Sequence, residues 1–148
     1  MIVFQKRFLT IRWIEECESV CLEWKGFAIG DDFREGLNKG LEIFVEKKGR
    51  GWLGDLEQMQ LICLEDQKWC RTVWFPQAID AGLSKLSIVC PRNILAQTSL
   101  FKIMSESRYP GLKVAYFTER QKAQIWLKTT CKNKDIISKM PANLQAGI

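Results

Sequence analysis

The side chains able to do chemistry in this sequence are thiols, carboxylates and lysines, because it holds six cysteines and no histidine. Without imidazole there is no Ser-His-Asp or Cys-His nucleophile, and both the commonest general base and the commonest metal ligand are missing. Cys17 and Cys21 are separated by three residues and Cys63 and Cys70 by six, while Cys90 and Cys131 stand alone. A thiolate zinc site needs two close pairs at finger-like spacing, so no metal is expected. Redox chemistry at Cys17 and Cys21 would need a depressed thiol pKa, yet Glu15, Glu16 and Glu18 beside them work the other way. These two flank a turn and are expected to be exposed. The remaining cysteines read as free thiols serving as small buried hydrophobes. No glycine-rich dinucleotide loop, phosphate loop or nucleophile elbow occurs. The inventory therefore points away from an enzyme and from any cofactor.

Binding is the chemistry left. Trp69, Trp74 and Phe75 crowd three large apolar groups into seven residues. Neighbouring helical positions diverge by about 100°, so one helix face cannot bury both Trp74 and Phe75. One of the group would then line a cavity or lie beneath a neighbouring chain; packing into the core is the plainer alternative.

The elements that must position these residues follow from periodicity. Leu9–Glu15 and Ser19–Lys25 alternate across Glu16-Cys17-Glu18 as an antiparallel hairpin does. Asp31 or Asp32 caps a long helix, with Phe33, Leu37, Leu41, Phe44 and Val45 at helical spacing and Gly49 ending it. Trp52–Leu56 is a short inner strand, and Met59–Ile62 continue as a loop. A second helix spans Leu64–Trp74, broken before Pro76, with a short helix Pro76–Ala81 after it. Leu86–Val89 is a strand, Asn93 caps a helix running to Ser105, and Leu112–Phe117 is the last strand. Thr118-Glu119-Arg120-Gln121 matches a capping box for a final helix that buries Ala123, Ile125, Trp126 and Leu127. Strands alternating with helices imply right-handed crossovers. The fold class is thus α/β, an N-terminal hairpin and β-α repeats in a mixed, mainly parallel sheet. Ser87 and Lys113 interrupt two later strands, so helices should gather on one face, the other being partly open or covered by a partner.

In such a sheet the ligand crevice lies at the carboxyl ends of the strands. That rule nominates Asp55, Cys63, Arg92, Asn93 and Thr118. Asn93 and Thr118 are accounted for as caps, Cys63 as a weak helix start, and Asp55 with Arg92 as an ordinary ion pair.

The series Trp24-Lys25-Gly26, Phe33-Arg34 with Leu37, Trp52-Leu53-x-Asp55, Trp74-Phe75-Pro76-x-Ala78, and Phe117 followed by Ala123-x-x-Trp126-Leu127 resembles the bacterial STAS-like family. That family is related to the anti-sigma-factor antagonists and shares its overall fold with CRAL-TRIO lipid-transfer domains. The likeness covers roughly residues 9–128 and rests on the ordered set, not on one motif. It implies a domain over 1–128 and a cytosolic regulatory role through protein contact, with carriage of a lipid or other apolar small molecule as the alternative. The antagonists are switched by phosphorylation of a hydroxyl residue opening the second helix. The matching stretch here, Ile62-Cys63-Leu64-Glu65-Asp66, has no hydroxyl, and its acids would repel a phosphate.

Composition sets the remaining bounds. The 148 residues, 47% hydrophobic and 26% charged, suit one globular domain with a full core. The apolar runs are far too short for a membrane span, and the first residues lack the apolar stretch of a secretory signal, so a cytoplasmic location is expected. Much of the net charge of +5 comes from Lys128, Lys132, Lys134 and Lys139 against Asp135. Residues 129–148 read as a basic tail or short helix, solvated charge with no nucleic-acid footprint. A homodimer through the open sheet face or this tail, or a protein partner, would fit.

Overall fold

The computed structural model describes residues 1–106 and 109–129. Apart from Thr129, the expected tail over 129–148 lies outside them, as does Cys131. Six strands form one sheet: β1 (Ile2–Lys6), β2 (Leu9–Ile14), β3 (Ser19–Phe27), β4 (Gly51–Leu61), β5 (Lys85–Val89) and β6 (Lys113–Phe117), arranged in chain order. The first three are antiparallel and β3 to β6 are parallel. The β2–β3 hairpin is where alternation places it, closed by a 3-10 turn, Glu15–Cys17. β1 adds an edge strand that the sequence reading omits.

Strand order dictates the layering. Right-handed crossovers that always step the same way put every connecting helix on one face. α1 (Asp31–Glu46), α2 (Leu64–Trp69), α3 (Phe75–Asp80) and α4 (Ile94–Ser105) accordingly join the parallel strands and share a core with Leu9, Ile11, Leu22, Trp24, Trp52, Leu86 and Ile88. Each large apolar side chain buried there contributes about 1.5–3 kcal/mol. The opposite face is covered from within. α5 (Arg120–Lys128) follows β6 and packs Ala123, Trp126 and Leu127 on Cys21, Leu53, Val89, Ala115 and Phe117. The face expected to be partly open or covered by a partner is thus covered by α5 over β3 to β6, while Arg12, Glu23 and Lys25 at its β2–β3 side stay partly exposed.

Several local expectations also change. β4 runs on to Leu61 where a loop is expected, because its end pairs with β3 as far as Phe27. Pro76 does not break the second helix: a π turn over Cys70–Trp74 joins α2 to α3, and the Phe75 N–H donates five residues back, to Cys70 O. The widened turn absorbs the proline's missing donor and its ring. Neither Asp31 nor Asp32 caps α1; that position is Gly30, and the two acids occupy the first turn, where they suit the helix dipole. Thr118 caps nothing, since α5 starts from Glu119 without a side-chain cap. Asn93 does cap α4, accepting from Leu95 and Ala96 N–H. Val45 and Ile125 point outward, and Ile43 takes the core position on α1.

α1 lies close on the sheet because two of its residues lack a side chain. A Cβ at Gly36 would meet Leu9 Cδ2 at 2.6 Å and Trp24 Cη2 at 2.7 Å; one at Gly40 would meet Trp52 and Leu22 as closely. Gly36→Ala should therefore destabilise the protein despite alanine's better helix propensity. The propensity gain is about 1 kcal/mol, whereas overpacking against a locked indole costs roughly 1–3 kcal/mol. Thermal unfolding should show a lower Tm; a rise would mean that the helix packs further from β3 than described.

Candidate functional site

Helix starts and strand ends meet at one end of the parallel sheet, so the nominated residues can be placed directly. Asp55 lies inside β4, level with Val89 at the end of β5. Its side chain points away from the helix layer, since Trp52, Gly54 and Leu56 take one face and Leu53 and Asp55 the other. It does not pair with Arg92. Arg92 is 82% exposed and holds Glu57 at 2.7 Å, while Asp55 accepts from Arg120 Nε at 2.8 Å and from Glu57 N–H at 3.2 Å. Arg120 also pairs with Glu23, which stands 3.5 Å from Arg12. Two guanidinium groups and two carboxylates thus alternate across the second face, from β2 to β4. They pin the start of α5 to the sheet. With both oxygens occupied, Asp55 is placed as an anchor and not as a base.

The aromatic cluster sits across the sheet from Asp55. Trp74 and Phe75 are both buried, because the π turn brings both side chains to the core side. Trp74 packs edge-on against Trp52 with ring centroids 5.0 Å apart, and its indole N–H donates to Leu37 O at 3.3 Å. Phe75 stacks on Tyr109, also at 5.0 Å. Trp69 is half-buried, edge-on to Phe33 and beneath the Arg34 guanidinium at 5.5 Å. Trp74 and Phe75 border an apolar cavity of about 70 Å³ between the helices and the sheet.

Sequence reasoning passed over the most constrained polar group at this end. Asp66, in the first turn of α2, has no exposed surface. Its carboxylate accepts from Gly30 N–H at 2.8 Å, from Arg34 Nε at 3.0 Å and from the Cys63 thiol at 3.1 Å. A buried charge needs such donors, and these come from the β3–α1 loop, from α1 and from the α2 cap. Asp66 therefore ties two loops of the crevice into one unit. In the sequence it looks like any acid at a helix start; only its burial sets it apart.

Around this tie, Phe27, Ile29, Leu64, Ile94 and Leu95 are exposed. Phe27 pairs with Leu61 at the strand ends, Ile29 precedes Gly30, and Leu64 opens α2. Ile94 and Leu95 open α4, whose cap Asn93 donates to Gln60 Oε1 at 2.9 Å. Loops after three successive strands thus present apolar side chains at the same end.

The thiols at this end and below it are quiet. Cys17 and Cys21 are buried, which corrects the expectation of exposure at the hairpin turn. The five described cysteines are free, and no described group of three His, Cys, Asp or Glu side chains could hold a metal ion. Burial pushes the Cys21 thiol up to about 12, with Asp55 and Glu23 adding to the rise and Arg120 opposing it. Burial likewise lifts Cys70 to about 12 and Cys90 to about 11, and it raises Cys63, where the bond to Asp66 adds to the effect.

These shifts fix a pH dependence. An unfolded thiol ionises near its ordinary 9.0, while the folded chain keeps the Cys21 and Cys70 protons to about 12. The folded state then binds more protons, so stability is full below about pH 9 and falls as pH rises further. Guanidinium unfolding should show a flat midpoint from about pH 7 to 8.5 and a steady fall above 9, with each of the two thiols contributing roughly 1 kcal/mol per pH unit. Cys70→Ala should make that fall shallower. A midpoint unchanged to about pH 10.5 would contradict the assignment.

No family model, curated protein or solved structure matches this chain.

Proposed function

We propose that this chain is a cytoplasmic, non-enzymatic regulatory domain of STAS-like kind that works by binding a protein partner at the carboxyl end of its sheet. The observation that carries the reading is the exposed apolar group Phe27, Ile29, Leu64, Ile94 and Leu95, held around a buried carboxylate tie. Rigid loops presenting apolar side chains suit contact, because little conformational freedom is lost on docking. The reactive groups nearby support contact over catalysis: Asp55 and Asp66 are occupied by donors, and the Cys63 thiol is raised, not activated. Asp31, Asp32 and Glu65 are exposed beside the patch, and so are Lys25, Lys68 and Arg92, so the rim is of mixed charge. The favoured partner is a protein that presents an apolar segment to these side chains, with polar groups of both signs around it.

Regulation by phosphorylation at the second helix is not part of this reading. The cap position there is Cys63, which cannot take the modification, and its thiol already donates to Asp66. Carriage of a lipid gains little support from the interior: the cavity beside Trp74 is about 70 Å³, whereas a site for benzene alone measures about 150 Å³. Among the described residues, no helix is long and apolar enough to cross a membrane.

The double substitution Leu64→Asp and Ile94→Asp tests the reading. Both side chains are exposed, so stability should change by no more than about 0.5 kcal/mol per site. Proximity labelling in the native cell should recover a partner with the unmodified chain and lose it with the variant. The isolated partner should then bind the variant at least about tenfold more weakly. The same partners recovered at the same strength from both chains would refute the proposal.

A further inference from the structure

Gly54 is out of place by the rules that govern the rest of the sheet. It sits inside β4, paired with Leu22 on one side and Ile88 on the other, and faces the helix layer. Its neighbours on that face are large: Trp52, Leu56, Trp24 and Leu86. Glycine inside a strand weakens it, and usually marks a bulge or the close approach of another group. The register is regular through Gly54, from Trp52 to Asp55 on both sides, so no bulge explains it. Nor does any protein atom approach. A Cβ built on Gly54 would find nothing within 4 Å, in contrast to Gly36 and Gly40 on α1, where side chains fill the space.

That space belongs to the apolar cavity of about 70 Å³ whose walls include Trp24, Phe33, Trp52, Trp74 and Leu100. Its walls are almost wholly apolar side chains, and the Trp74 indole N–H is already given to Leu37 O. A water needs two to four polar partners, and an apolar cavity without them stays dry and takes apolar guests. Most of the lining is fully buried, and Met104 is the half-buried member. A methionine thioether swings at little cost, which makes this residue, near the end of α4, the way in.

We propose that the cavity floored by Gly54 is a binding site for a small apolar molecule of about two to four carbon atoms, well below benzene in size. The site is separate from the partner surface at the carboxyl end and does not depend on it. Gly54 keeps the seat open, the three tryptophans supply polarisable walls, and Met104 admits the guest.

NMR titration of the full chain with xenon, cyclopropane and benzene tests this. Xenon and cyclopropane should give saturable shifts at the Gly54 amide and at the Trp24, Trp52 and Trp74 indoles, while benzene gives none. Gly54→Val should fill the seat, weaken cyclopropane at least tenfold and raise Tm. If that variant fails to fold, Gly54→Ala provides the same comparison with a smaller plug. Shifts that do not saturate, shifts that persist unchanged in the substituted chain, or equal binding of benzene would each overturn the proposal.

Discussion

A carboxylate removed from water must be met by donors at nearly every lone pair, and the position of those donors is then fixed to within a hydrogen bond. Asp66 imposes that constraint at the end of the sheet where the loops gather. By accepting from the Gly30 amide it sets where α1 begins, and by accepting from Arg34 it fixes the rotation of the first turn. The rest of α1 inherits that placement: Gly36 and Gly40 land against Leu9, Trp24, Trp52 and Leu22, and the helix can lie close on the strands. Breaking a buried pair of this kind typically costs about 3–5 kcal/mol, and the lower end applies here because the Arg34 side chain is 36% exposed.

The two faces of the sheet are stabilised by different means. Crossovers that all step in one direction stack four helices on one side, where aromatic packing dominates. The other side has one helix to cover it, and that helix lacks a side-chain cap. Its start is held instead by Arg120, whose guanidinium is shared between Glu23 and Asp55. Each face thereby has an apolar core, the α5 side adds a charged anchor beside its own, and the strand ends are left as the place where loops from several elements can act together.

Much of this order was legible in the sequence. Period-2 alternation locates the hairpin and helical spacing locates α1, because both report burial on one face, while α4 and α5 are placed by cap signals, of which Asn93 holds and Thr118 does not. The failures have physical reasons. Glu57, Gln58 and Gln60 made the end of β4 look like a loop, although pairing with β3 alone keeps them in a strand. Pro76 signals a break, but the lost hydrogen bond is absorbed by a π turn that also explains how Trp74 and Phe75 both face inward. Asp55 and Arg92 are close in the topology yet belong to opposite surroundings, one facing the second side of the sheet and one facing solvent. Asp66 and Gly54 were hidden for a common reason: burial of a charge, or emptiness beside a glycine, depends on residues distant in sequence and leaves no local pattern.

The tie at Asp66 can be read from a single backbone amide. Gly30 precedes the first turn of α1, and the Asp66 carboxylate is the acceptor its N–H meets. Hydrogen exchange followed by NMR should find that amide protected by roughly a hundredfold or more. In Asp66→Ala the protection should vanish while the amides of β3 and β4 stay slow. A Gly30 amide that already exchanges at the rate of an open chain in the unmodified protein would contradict the account.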